Sequence, residues 1–252
     1  MKKSFIAAMI FGLLLGLSVI PVSAQNDQAG KIAEGKKFME KSIAAQGGRD
    51  RMLNVGDSMI SAELKLLSMG LSINRIAYIK GFSKIRLENK VMGMNTIMAY
   101  NGKNGWMTNP QTGAVTDLPE PILEELKRGV ESNEVLLFPD KHGVVVTFEG
   151  RKTISAKEYV VIKQTHKDGY VSTIYLDPTT YLPYKSIALS LDETMQKVET
   201  ETITSDYRDI EGMKVPFSMK ILQGGVDYAA VTITEYKFHQ KLADSLFEKP
   251  AN

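Results

Sequence analysis

The sequence predicts a mainly β, α+β fold: a strongly curved antiparallel sheet forming a half-open β-barrel of about ten or eleven strands, with an N-terminal helix and a helical lid. Three observations predict it. From Asp57 onward, apolar residues recur with a period of two. The turns between these runs are short and carry Gly or Asn, as at Met69-Gly70, Met92-Gly93 and Asn101-Gly102. The runs return roughly every ten residues, the spacing of a meander. A sheet that long twists, and a twisted sheet of that size curls.

The chain opens with Met1-Lys2-Lys3, an apolar run from Phe5 to Val19, and Pro21-Val22-Ser23-Ala24. A basic start, a short apolar centre and small residues at the end read as a secretory leader, residues 1–24, cleaved after Ala24. An uncut anchor is the alternative. No second apolar run follows, so residues 25–252 are expected to form one domain outside the cytoplasm. No Cys follows the cleavage point, so the chain carries no lipid anchor of its own.

Gln25 to Gly30 reads as a polar lead-in. Lys31 to Gln46 follows as a helix, with Ile32, Phe38 or Met39, and Ile43 at helical spacing. Gly47-Gly48 supplies its stop. Strands are predicted at Asp57–Leu66, Leu71–Lys80, Lys84–Asn89 and Met94–Tyr100. Pro119 to Val130 interrupts them as a helix, with Ile122, Leu123, Leu126 and Val130 on one face. Val135-Leu136-Leu137-Phe138 then forms either a lid over a cavity or core beneath a loop. Strands resume at Val144–Glu149, Lys157–His166, Val171–Asp177, Tyr184–Asp192, Met195–Asp206, Val215–Leu222 and Asp227–Phe238. Ala243 to Glu248 reads as a closing turn.

Composition excludes several functions. Lys and Arg total 31 against 29 Asp and Glu, and without Lys2 and Lys3 the mature chain is formally neutral. That balance lacks the footprint of a nucleic-acid binder. The absence of Cys excludes disulfides and thiolate metal sites. His142, His166 and His239 are isolated in sequence, and neither H-E-x-x-H nor G-x-S-x-G occurs. No cofactor and no catalytic residue is predicted. A hydrolase with a hidden acid pair or His site is the weakest alternative.

Apolar surface is what remains. Met59, Met69, Met92, Met94, Met98 and Met107 cluster in the first half of the meander. Methionine adapts to irregular shapes. A cargo-binding set is therefore Met59, Leu64, Leu66, Met92, Met94, Met98, Trp106, Leu123, Leu126, Leu136, Leu137 and Phe138. The alternative is a closed, Met-filled core. Trp106, the single Trp, is either a reporter at the cavity rim or an anchor of its hairpin.

Ala99-Tyr100-Asn101-Gly102-Lys103-Asn104-Gly105-Trp106-Met107-Thr108-Asn109-Pro110 resembles the aromatic-Asp-Gly-Lys-x-x-Trp-x-x-x-Pro hairpin of the LolA-like periplasmic lipoprotein carriers. Tyr175 to Pro183 and Asp206 to Pro216 resemble two further strand-turn-strand units of that family, and the helix ending in Gly47-Gly48 is similar to the lead-in of its exported relatives. The resemblance implies a half-barrel with a helical lid. It implies binding of lipoprotein acyl chains or other lipids in an apolar cavity, outer-membrane lipoprotein sorting, an inner-membrane donor and an outer-membrane acceptor. A sensor module of the same fold is the alternative. One departure matters: where the best-known carriers have Lys-Arg-Pro, this chain has Lys80-Gly81-Phe82, so lid locking by that Arg does not carry over.

Overall fold

The structure is a computed structural model that describes residues 22–250. Residues 1–21 of the predicted leader lie outside the described residues. Helix α1 runs Val22–Ala45, so Gln25 to Gly30 is helical and not a separate lead-in. Its polar residues carry no apolar period, which is why sequence reasoning started the helix late. The stop at Gly47-Gly48 is a Schellman motif. The Gly48 N–H donates to Ile43 O at 2.9 Å and the Gly47 N–H to Ala44 O at 3.2 Å, with φ of 125° at Gly47. A short helix, α2 (Arg49–Asn54), follows.

The strands are β1 (Ser58–Leu66), β2 (Leu71–Lys80), β3 (Lys84–Val91), β4 (Met94–Tyr100), β5 (Gly105–Thr108) and β6 (Val115–Asp117). Helix α3 (Glu120–Leu137) intervenes. Then come β7 (Val145–Ile154), β8 (Lys157–Thr165), β9 (Val171–Leu176), β10 (Pro183–Leu191), β11 (Lys197–Ile210), β12 (Met213–Gln223) and β13 (Val226–Lys237). All thirteen join one antiparallel sheet in the order β6-β5-β4-β3-β2-β1-β13-β12-β11-β10-β9-β8-β7. The count exceeds ten or eleven because β5 and β6, four and three residues long, are too short to show a period. The sheet is open: β6 and β7 are its two edges.

Pairing register fixes the faces. Ile60, Ala62 and Leu64 lie opposite Ala77, Arg75 and Ile73 of β2, and Leu87 and Asn89 lie opposite Ala77 and Arg75 in turn. These residues face one side with Val231 and Ile233 of β13, Met219 and Ile221 of β12, and Val160 and Ile162 of β8. Both long helices cover this same, concave side. Met39 and Ile43 of α1 are buried against Val146, Val160, Ile162 and Leu176. Helix α3 is one continuous helix to Leu137, not a helix ending at Val130. Pro119 precedes its first residue and Pro121 sits in its first turn, where a missing N–H costs nothing. The helix passes through Gly129 and Ser132 without a break.

The convex side carries a C-terminal strap. Lys80 Nζ donates to Leu242 O at 2.8 Å, Arg86 to Leu246 O at 3.1 Å, and Trp106 Nε1 to Phe247 O at 2.9 Å. The predicted closing turn is the 3-10 turn Asp244–Leu246 within that strap.

Candidate functional site

Helix α3 crosses the concave side. On one flank Leu123, Leu126 and Val130 pack on Ile85, Leu87, Tyr100, Ala77, Ile79 and Met98. Toward its C-terminus Val135, Leu136, Leu137 and the following Phe138 join the main core with α1. On the other flank the ties are polar. The Glu125 carboxylate accepts the Leu191 N–H, and Arg128 donates to Asp168 Oδ2 at 2.9 Å while lying 4.0 Å over the Tyr170 ring. The Tyr170 N–H and the Arg128 guanidinium hold the Asp168 carboxyl below the usual range.

Between α3 and strands β8 to β11 lies a cavity of ≈ 1160 Å³. Its lining is mixed. Val135, Ile174 and Leu191 meet Gln164, Ser172 and Ser186, so it is amphipathic and not the purely apolar hollow that the sequence predicts. His142 and His166 both reach it. Burial, then the Arg128 charge, lowers the His166 imidazole. His142 Nε2 is buried 3.3 Å from Glu134 Oε2, at an angle that makes no hydrogen bond. The Ser172 hydroxyl donates to Gln164 Oε1 at 3.0 Å, and Ser190 pairs with Thr200 at 2.6 Å. Neither is aimed at an imidazole. Among the described residues no cluster of His, Asp or Glu has metal-ligand spacing.

The concave face continues beyond the cavity onto β12, β13, β1 and β2. There Met219, Ile221, Leu64, Leu66 and Ile73 are half-buried rather than closed over. Arg75 stands among them. Its Nε donates to Asn89 Oδ1 at 2.7 Å, and burial lowers its guanidinium from the ordinary value.

Nine of the twelve sequence-predicted residues lie on this side: Leu64, Leu66, Met94, Met98, Leu123, Leu126, Leu136, Leu137 and Phe138, with Met94 43% exposed at the start of β4. Three do not. Met92 sits in the β3–β4 turn, 78% exposed. Met59 alternates with inward Ile60 and so faces the convex side. Trp106 is 1% exposed beneath the C-terminal strap, on the convex side with Arg86 over its ring. The residues that line the ≈ 1160 Å³ cavity itself were missed. The signal that could have found them is the run of small polar residues at inward positions of β9 and β10: Ser172, Ser186 and Ser190.

No family model matches the chain. A stretch of 59 residues is 41% identical to large ribosomal subunit protein uL1 of Mycoplasmopsis agalactiae; it spans 23% of this chain and only 24% of that protein. Solved structures match far more of it. A domain named for outer membrane lipoprotein sorting, from Vibrio parahaemolyticus, superposes with a TM-score of 0.58 at 13% identity, over 86% of this chain and 97% of that one. A DUF1329 family protein from Desulfovibrio piger gives 0.59 at 13%, over 85% and 97%. A LolA superfamily protein from Nitrosomonas europaea gives 0.56 at 13%, again over 85% and 97%. An open antiparallel sheet with its helices on the concave side, shared in outline with these three, makes the fold of this chain LolA-like.

Proposed function

We propose that the chain is a non-catalytic carrier, exported to the periplasm, that binds the acyl chains of lipoproteins or other lipids. The observation that supports this reading is the concave face itself. Apolar side chains of β12, β1 and β2 stay half-exposed there, beside a cavity bridged by a single helix. Ligand pockets run to about 300–1,000 Å³, so a space of this size suits a long flexible molecule. Each methylene moved from water is worth ~0.8 kcal/mol, so a long chain gains affinity without any reacting group. The mixed polar rim under α3 suits the polar end of an amphiphile. Helix α3, apolar on one flank and tied by polar contacts on the other, acts as the lid: it opens on the Glu125 and Arg128 side and stays hinged on Leu123 and Leu126. An inner-membrane donor and an outer-membrane acceptor are the partners that a sorting role requires.

The test is organic extraction of natively purified protein, with mass spectrometry of what leaves it, followed by titration of the delipidated protein with a fluorescent acyl probe. Extracted lipid and saturable uptake support the carrier. A delipidated protein that takes up no acyl probe refutes it.

A further inference from the structure

Among the inward positions of β1 to β4, Arg75 carries the one charge. Its neighbours across the strands are Ala62 and Asn89, and along its own strand Ile73 and Ala77. A guanidinium in apolar company is costly unless it is paired. Among the described residues no carboxylate lies within ion-pair distance of it, and its one hydrogen bond runs from Nε to Asn89 Oδ1 at 2.7 Å. Asn89 is itself buried, 8% exposed, and it accepts from Nε alone; among the described residues the two terminal nitrogens have no protein acceptor. Those two form the edge that grips an oxyanion in bidentate fashion.

We propose that Arg75 seats the oxyanion headgroup, carboxylate or phosphate, of a single-chain amphiphile whose tail lies along Leu64, Leu66 and Ile73. This rests on the carrier reading and goes beyond it by naming the class of headgroup. The charge calls for an anion, and the surrounding side chains call for hydrocarbon. Asn89 is a positioning residue: it fixes the guanidinium without neutralising it.

The experiment displaces a neutral fluorescent acyl probe from the delipidated protein with laurate, methyl laurate and dodecyl phosphate. The wild type is expected to bind at least one of the two anions about tenfold or more tightly than the ester. A lead for laurate assigns a carboxylate, and a lead for dodecyl phosphate assigns a phosphate. Arg75→Met should abolish the lead. Asn89→Asp, which supplies Arg75 with an internal counter-ion, should abolish it too, and Arg75→Lys should keep part of it. Thermal melting of each variant establishes that it is folded. Equal binding of acid and ester by the wild type, or a lead that survives Arg75→Met, overturns the proposal while ester binding leaves the carrier reading standing. Failure of all three ligands to bind the wild type overturns both.

Discussion

Gly35→Ala tests how closely α1 rides on the sheet. Alanine in mid-helix is ordinarily better than glycine by about 0.5–1 kcal/mol. At Gly35, however, a Cβ would stand 2.7 Å from Val146 O and 2.8 Å from Thr147 Cα, both backbone atoms of β7. Backbone in a paired strand cannot swing aside, so the helix must lift off and loosen Met39 and Ile43. Overpacking of that kind costs roughly 2–3 kcal/mol, which leaves a net loss of about 1–2 kcal/mol after the propensity gain. For a domain of this size the melting temperature should fall by about 2–8 °C, read by circular dichroism. Gly30→Ala on the same helix is the control, because nothing lies within 4 Å of the added Cβ. It should gain the propensity term alone. If Gly35→Ala stabilises as much as Gly30→Ala, the close approach of helix and strand is wrong.

Three further outcomes are expected. Burial pushes the Asp177 carboxyl up, but the Lys157 ammonium and the Thr180 and Thr179 N–H groups outweigh it and hold its pKa at about 2, against an ordinary 3.8. A depressed carboxyl contributes stability above pH 3.8 and loses it as pH falls through 2, so Asp177→Asn should cost about 1–2 kcal/mol at pH 7 and progressively less in acid melts. Trp106 emission should stay unchanged when an acyl probe fills the concave side, yet shift to the red when residues 243–252 are deleted, because the strap and not the ligand covers it. Arg128→Ala should lower stability by less than about 1 kcal/mol, the worth of an exposed ion pair, while amide exchange in α3 accelerates. Unchanged exchange would show that this contact does not restrain the helix.

The alternation of Ile60, Ala62 and Leu64 with Ser61, Glu63 and Lys65 shows a strand with one buried face, and β1 is that strand. Gly47-Gly48 marks a helix end by local conformation alone, and the motif forms there. What depends on distant partners was not legible. Leu123 and Leu126 declare an apolar stripe, but only the curl of the sheet decides that it packs on β3 and β4. Trp106 and Met107 are equally apolar neighbours in sequence. Which of them points inward follows from the register of Met98 with Met107, a cross-strand fact. Met92 looked like pocket lining because methionine is apolar; its place in a turn, with φ of 50°, exposes it. Arg75 is one charge among many until the pairing with Ala62 and Asn89 puts it on the concave side.

An unclosed sheet offers its last strands to other copies of the same chain, the usual start of polymerisation. Here both borders are blunted. The first is β6, three residues long. The second, β7, is long enough to recruit a neighbour, but a register shift between Phe148 and Arg151 kinks it, with Gly150 at φ 94°. Glu149, Arg151 and Lys152 crowd the kink with charge of both signs. A straight incoming strand finds no continuous row of free amides, so the molecule can keep its wall unsealed at high concentration without stacking into fibres.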